Sequence, residues 1–166
     1  MNVSPMKKKT KSTKKDRPYI GVIGAGKCSK KLCAEAEAVG RAIAENGGIL
    51  VCGGLGGVME AAARGAFENG GTTIGLLPGS TRKDANPYIE YTVPTGLGEG
   101  RNLMVIRCSD VVIAMPGKFG TLSEMAFCLK LGKPLLSLSA WNISDKIEKF
   151  EKPVEAVARA FEILEL

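Results

Sequence analysis

The chain has 166 residues, of which 45% are hydrophobic, and this is enough for one domain with its own core. No apolar run approaches the roughly 20 residues that cross a bilayer, so we expect no membrane partner. The formal net charge of +6 arises in residues 1–17, which hold seven basic residues and one acidic residue, whereas the remainder is balanced at 16 of each sign.

Residues 1–17 are interpreted as a disordered basic tail, and residues 18–166 as the folded domain. A nucleic-acid-binding domain would spread its basic residues over the folded face, so a nucleic-acid partner is not expected for the domain itself. For the tail, a solubilising role and weak contact with nucleic acid or an anionic surface both remain open.

The residue types present exclude several kinds of chemistry. There is no histidine, which rules out Ser-His-Asp and Cys-His nucleophile systems and the HExxH zinc site, and no metal site is predicted. The five cysteines are odd in number and never spaced as a CxxC pair. With no secretory signal in the sequence, this pattern predicts reduced thiols in a cytoplasmic protein.

Taken in order, the elements alternate between strand and helix. Strands are predicted at residues 19–23, 49–52, 72–77, 89–93, 111–115 and 134–138, and helices at residues 32–46, 58–68, 99–108, 121–131 and 153–164. Residues 80–88 are predicted to form a loop, and residues 140–152 to be irregular or partly helical. In the last helix we expect Val154, Val157, Ala158, Phe161 and Leu164 to face inward. Such alternation predicts a single α/β domain, a Rossmann-like, doubly wound parallel sheet flanked by helices.

Glycine clusters follow four of these strands, at the edge of the sheet where such folds bind ligands. They comprise Gly24 and Gly26, then Gly53, Gly54, Gly56 and Gly57, then Pro78 and Gly79, and finally Gly117 and Gly120. Four clusters at one edge favour a phosphate-bearing ligand over ordinary turn chemistry. Neither the dinucleotide fingerprint nor the P-loop motif is present, which disfavours an ordinary NAD enzyme or a P-loop NTPase.

The strand at residues 111–115 leads into the stretch PGKFGTLSE at residues 116–124. A strand, a glycine turn and a helix N-terminus together form an anion site, because free N–H groups and the positive end of the helix dipole point at one spot. Glu124 lies on the first turns of this helix. It either faces a positive or electron-poor part of the ligand or is an ordinary first-turn glutamate favoured by the dipole.

PGKFGTLSE resembles the PGGxGTxxE signature of the LOG proteins, which are cytokinin-activating phosphoribohydrolases. The stretch GGLGGVM at residues 53–59 is similar to the glycine-rich turn of that family. Arg101 resembles the arginine that opens a later helix in the family. The resemblance covers about residues 18–140. TTIGLLPG at residues 72–79 and TGLG at residues 95–98 are most similar to the branch that contains molybdenum cofactor carrier proteins. Two positions depart from the pattern, because Lys118 replaces a glycine and Asn102 replaces a lysine.

The resemblance implies a ligand that is phosphorylated and nucleotide-like. In the phosphoribohydrolases a nucleoside 5′-monophosphate loses its base by hydrolysis of the N-glycosidic bond, without a cofactor; Glu124 would stabilise the ribosyl cation and Arg101 would assist the departing base. The alternative is a non-enzymatic carrier of molybdopterin or the molybdenum cofactor. The residues expected to bind ligand or phosphate are Gly24, Gly26, Gly53, Gly54, Gly56, Gly57, Met59, Pro78, Gly79, Gly117, Lys118, Phe119, Gly120 and Thr121.

The resemblance also implies a homodimer or higher homo-oligomer. An apolar stripe of Met125, Leu129 and Leu131 could serve as its interface, or could equally belong to the core.

Overall fold

The structure, a computed structural model, describes residues 17–164 and contains a seven-stranded sheet in that range. The strands are β1 (Tyr19–Ile23), β2 (Ile49–Cys52), β3 (Thr72–Leu77), β4 (Tyr91–Pro94), β5 (Val111–Ala114), β6 (Leu135–Leu138) and β7 (Glu148–Phe150). All neighbours pair in parallel, in the order β4-β3-β2-β1-β5-β6-β7. The predicted doubly wound parallel sheet is therefore confirmed.

The seventh strand lies inside the segment that was predicted to be irregular. Glu148 and Lys149 are exposed, and β7 pairs only with β6 at the edge of the sheet. An edge strand of three residues needs no apolar run, because only part of it is covered, so hydrophobic patterning cannot detect it.

Within the described residues, five α-helices cover the two faces of the sheet. They are α1 (Lys30–Glu45), α2 (Val58–Glu68), α3 (Arg101–Cys108), α4 (Phe119–Leu131) and α5 (Pro153–Leu164). Helices α1, α2 and α5 pack together over a core that includes Ile20, Val39 and Leu50. Helices α3 and α4 pack over a smaller core that includes Ile23 and Met125. None of the helices within residues 17–164 is long and apolar enough to cross a membrane.

The direction of winding changes between β1 and β5. From β1 the chain builds β2, β3 and β4 on one side, then returns through α3 to place β5 on the other side of β1. Two backbone hydrogen bonds extend this contact beyond the strands, from Met115 N to Ile23 O and from Ala25 N to Pro116 O, each 2.9 Å long. A parallel sheet binds ligands at such a switch point, so the winding fixes where a site can form.

The chain enters the domain through Arg17, the last residue of the predicted tail. Its guanidinium donates to Gly47 O at 2.8 Å, to Gly48 O at 2.9 Å and to Thr72 Oγ1 at 3.2 Å. Residues 1–16 and 165–166 lie outside the described residues, so the remainder of the tail stays a prediction.

The inward face of α5 differs from the predicted one. Val157 is fully buried, as expected, but Val154 is 64% exposed and Ala158 is also exposed, while Ala156 and Ala160 are buried. Helix α5 packs against α1, and its buried residues are Ala156, Val157 and Ala160, while Phe161 and Leu164 pack partly buried against the same core, as predicted.

This difference predicts unequal costs for two matched substitutions. Val157→Ala should lower the free energy of unfolding by about 2 kcal/mol, because it removes two buried methyl groups and leaves a cavity. Val154→Ala in the same helix should change it by less than about 0.5 kcal/mol. Urea denaturation of both variants measures this, and equal losses would contradict the observed face.

Candidate ligand-binding cleft

A cleft of about 530 Å³ opens at the carboxyl ends of β1 and β5, at the switch point of the sheet. Its walls are formed by Val22, Ile23, Gly24, Ala25, Gly26, Lys27, Gly53, Met59, Arg101, Asn102, Lys118, Gly120, Thr121 and Glu124. The loops after β1, β2 and β5 and the first turns of α3 and α4 therefore meet here. Both predicted catalytic residues, Arg101 and Glu124, lie in the walls of this one cleft.

One end of the cleft is the N-terminus of α4. Lys118 is the N-cap residue and its side chain makes no capping hydrogen bond, and the first N–H groups of a helix have no acceptor within the helix. Thr121 is buried on this first turn. A Cβ at Gly117 would overlap Thr121 Oγ1, so glycine at 117 allows the turn to close against the helix. This end of the cleft presents the positive pole of a helix and is suited to an anion.

Arg101 forms a second wall, at the first residue of α3. Its side chain is only 8% exposed, and its Nη1 donates to Leu76 O at 3.0 Å. A Cβ at Gly53 would overlap the guanidinium, so the bare glycine leaves the space that Arg101 fills. The buried Nε has no hydrogen-bond partner among the described residues. An unpartnered buried donor is costly, and a ligand acceptor in the cleft would satisfy it.

Glu124 lies opposite, on the second turn of α4, and is also only 8% exposed. Burial raises the pKa of its carboxyl from 4.5 to about 7, and the positive charge of Arg101 opposes this shift without cancelling it. Burial likewise lowers the pKa of the Arg101 guanidinium, while Glu124 acts to raise it. The two side chains form no salt bridge in the described structure. Both therefore face the cleft with hydrogen-bonding capacity to spare.

Three predicted ligand-binding residues, Pro78, Gly79 and Gly54, are not part of the cleft walls. Pro78 O accepts from Gly98 N at 3.0 Å, and Gly79 O accepts from Gly96 N at 2.9 Å. These bonds hold the segment that leads into α3, so Pro78 and Gly79 act on the position of Arg101. Gly54 packs against Gly75 and Leu77 below the cleft.

Three more predicted residues have different surroundings. Gly56 and Gly57 line a smaller neighbouring depression, and Gly57 lies directly under the loop after β1. Phe119 is 79% exposed and stacks on Trp141, with ring centroids 6.3 Å apart. The binding role predicted for all of these residues remains a proposal.

Five wall residues were absent from the predicted ligand-binding set. They are Val22, Ile23, Lys27 and Asn102, which lie outside the glycine clusters, and Ala25, which stands between Gly24 and Gly26. Val22 and Ile23, at the end of β1, line the cleft because the strand order places β1 beside β5. Asn102 and Lys118 both depart from the LOG pattern, and the two residues lie in the walls of the same cleft.

The expectation that all the cysteines are free is wrong for Cys28 and Cys33. They form a disulfide, with Cα atoms 5.6 Å apart, and both line the smaller depression. Ser29 caps α1 between them, so the chain turns there and brings the first turn of the helix back beside Cys28. Within residues 17–164, no cluster of three or more histidine, cysteine or acidic side chains could hold a metal ion.

Of the predicted apolar stripe, Met125 is fully buried, whereas Leu129 and Leu131 are more than a third exposed. Met125 therefore belongs to the core, and only the other two residues remain open for an interface.

The protein is an α/β protein whose switch-point cleft joins a helix N-terminus to a buried arginine and a buried carboxyl, an arrangement that is suited to a small anionic molecule. The sequence model of the SLOG cluster4 family matches residues 17–165. The chain belongs to this family, which agrees with the LOG resemblance of its sequence.

Individual proteins are similar to this chain over most of its length. An uncharacterised protein of Archaeoglobus fulgidus is 43% identical over 139 residues, which cover 83% of this chain and 91% of the relative. The molybdenum cofactor binding protein of Rippkaea orientalis is 32% identical, with a TM-score of 0.84, over 90% of this chain and 98% of that one. The molybdenum cofactor carrier protein of Chlamydomonas reinhardtii is 31% identical, with a TM-score of 0.81, over 90% of this chain and 99% of that one.

Proposed function

We propose that this protein is a carrier that binds a phosphorylated pterin, with the molybdenum cofactor as the specific cargo. The two solved neighbours named for binding or carrying this cofactor support the proposal, since the similarity spans 90% of this chain and nearly all of theirs. The cleft supports it independently. It offers an anion site at α4, a volume of about 530 Å³, and a buried Arg101 Nε that has no hydrogen-bond partner among the described residues.

The burial of Glu124 in the cleft wall, together with Arg101 and the start of α4, is the observation that carries the proposal. With a pKa of about 7, the carboxyl is protonated about half of the time at neutral pH, so it can donate or accept a hydrogen bond. A pterin ring presents neighbouring donors and acceptors, which such a group can match.

The other wall residues would hold the remainder of the cargo. The free N–H groups at the start of α4, together with Lys118, would bind its phosphate. The buried guanidinium of Arg101 would donate its unused Nε–H to an acceptor on the ligand. Carrying requires no bond to break, so these contacts alone are sufficient for the function.

The direct experiment is to purify the protein and identify the bound small molecule by mass spectrometry, then to load the empty protein with molybdenum cofactor. We expect one pterin per chain. Glu124→Gln should bind nearly as well as the wild type, because glutamine keeps a donor and an acceptor. Glu124→Ala should bind about tenfold more weakly, the loss expected for a missing hydrogen bond to a buried group. A wild-type protein that neither co-purifies with a pterin nor accepts the cofactor would contradict the carrier proposal.

Hydrolysis of a nucleoside 5′-monophosphate is the second candidate. It is favoured by the shared position of Arg101 and Glu124 beside the anion site. In this reaction the bond between C1′ and the base nitrogen breaks, water adds to C1′, and the departing base takes up a proton. Ionised Glu124 would stabilise the positive charge on the sugar and orient the water, and Arg101 would assist the departing base.

Incubation with AMP separates the two candidates. A hydrolase should release adenine and ribose 5-phosphate, and Glu124→Gln should slow this by at least about a hundredfold with little loss of affinity, since the charge matters mainly in the transition state. A carrier should release no base from any monophosphate tested. Chromatography of the reaction mixture gives the answer.

A further inference from the structure

Among the described residues that line the cleft, the basic side chains outnumber the acidic ones. Lys27, Arg101 and Lys118 line it, whereas Glu124 is its only acidic residue. Neither lysine forms a salt bridge within residues 17–164. Arg101, which is more than nine-tenths buried, leaves its Nε unpartnered there. These charges point to an anionic ligand independently of the helix dipole.

Of these cations, Lys118 lies directly at the start of α4. It is exposed and immediately precedes the helix. Its backbone is extended, with φ −100° and ψ −153°, so a side chain is accommodated there without strain. Arg101 is different, because its guanidinium is held by Leu76 O.

Asn102 approaches the same turn from the opposite wall. Its Nδ2 lies 3.8 Å from the position that a Cβ on Gly120 would occupy, which is ordinary van der Waals contact. The side chain of residue 102 therefore reaches the first turn of α4 from α3. Asparagine at this place provides a neutral donor, whereas a lysine there would bring a second cation to the same turn.

We propose that Lys118 determines specificity for a phosphate monoester, by supplying an exposed cation beside the first turn of α4, and that residues 102 and 118 are alternative positions for this one charge. The inference rests on the proposed function only in taking the ligand to be phosphorylated. The ligand class is a doubly charged phosphate on a small ring-bearing molecule. A ligand without the phosphate gains nothing from Lys118.

The test uses two fluorescent probes, 6-hydroxymethylpterin and its phosphate monoester, which differ only in the phosphate and contain no N-glycosidic bond. AMP and adenosine form a second pair. Affinities are measured for the wild type, Lys118→Ala, Asn102→Lys/Lys118→Ala and Lys130→Ala. Lys130 is the matched control, since it is an exposed lysine at the other end of the same helix.

We expect Lys118→Ala to weaken binding of the phosphate esters about tenfold, as for the loss of one charge-assisted hydrogen bond, with weaker dependence on salt. Binding of the unphosphorylated partners should not change. Lys130→Ala should match the wild type, and Asn102→Lys/Lys118→Ala should regain most of the lost affinity. Thermal melting confirms that each variant is folded.

Equal behaviour of Lys118→Ala and Lys130→Ala would overturn the inference while leaving the carrier proposal in place. If the double variant does not regain affinity, residues 102 and 118 are not alternative positions for the charge, and that part of the inference is overturned. If AMP shows the Lys118 effect but the pterin phosphate does not bind, the carrier proposal fails and the inference stands. A wild type that prefers neither phosphate ester would overturn both.

Discussion

At pH 8 the Glu124→Gln variant should have a free energy of unfolding about 3 kcal/mol higher than that of the wild type, whereas at pH 4 the two should be nearly equal. The carboxyl has a pKa of about 7 in the folded chain, against an ordinary value of 4.5, because burial disfavours its charged form. Each unit of difference corresponds to about 1.4 kcal/mol between the protonation states. Glutamine resembles the protonated form at every pH and therefore avoids this cost.

The sign follows from proton binding. Between pH 4.5 and 7 the folded chain holds a proton on Glu124 that the unfolded chain has lost, so stability of the wild type falls as pH rises through this window. Burial raises the pKa of Cys52 to about 11 and that of Cys128 to about 12, so neither neighbouring thiol titrates there. The difference in stability between the Glu124→Gln variant and the wild type should be small at pH 4, grow through the window and be constant above it.

Urea unfolding at intervals from pH 4 to pH 8 measures this difference. Glu151→Gln removes the same charge at an exposed position and serves as the control, for which we expect a change below about 0.5 kcal/mol. A Glu124→Gln effect that stays constant with pH would show that the folded protein does not hold this carboxyl in its neutral form. The expected result would mean that the cleft keeps a group that costs stability at neutral pH, as functional sites commonly do.

Gly57→Ala should lower the free energy of unfolding by about 3 kcal/mol and abolish ligand binding. Gly57 has φ +64°, which an alanine adopts only at a cost, and a Cβ there would overlap backbone atoms of Ala25, Gly26 and Lys27. The next residue, Val58, donates its N–H to Ala25 O at 2.9 Å, so the two loops cannot separate without losing a hydrogen bond. The displaced loop forms a wall of the cleft.

Gly26→Ala is the matched control, a glycine of the adjoining loop. No atom of residues 17–164 lies within 4 Å of the position that its Cβ would take, and its φ is not positive. Its stability should stay within about 0.5 kcal/mol of the wild type. Denaturation of the two variants under the same conditions compares them, and similar losses would show that backbone overlap at Gly57 is not the cause.

The local elements were largely determined by the sequence. Strands β1, β2 and β3 and helices α2 and α5 lie where hydrophobic runs and glycine stops predicted them, because buried parallel strands must be continuously apolar. Helix α4 was also predicted from its strand, glycine turn and helix pattern, but it begins at Phe119, two residues before the predicted start. Where burial is partial, as in β7 and on the outward side of α5, local patterning carried too little information.

The assembly of the site was decided by the tertiary structure. Arg101 and Glu124 lie in different helices, and they share a cleft because the chain returns through α3 to place β5 beside β1. The same strand order leaves Pro78 and Gly79 outside the walls of the cleft. It places Asn102 and Lys118 in those walls, although they lie at the starts of different helices. Residue patterns record which side of an element is buried, but the distance between two loops depends on strand order. For this reason the sequence predicted an anion site at the edge of the sheet, whereas only the fold determined which side chains surround it.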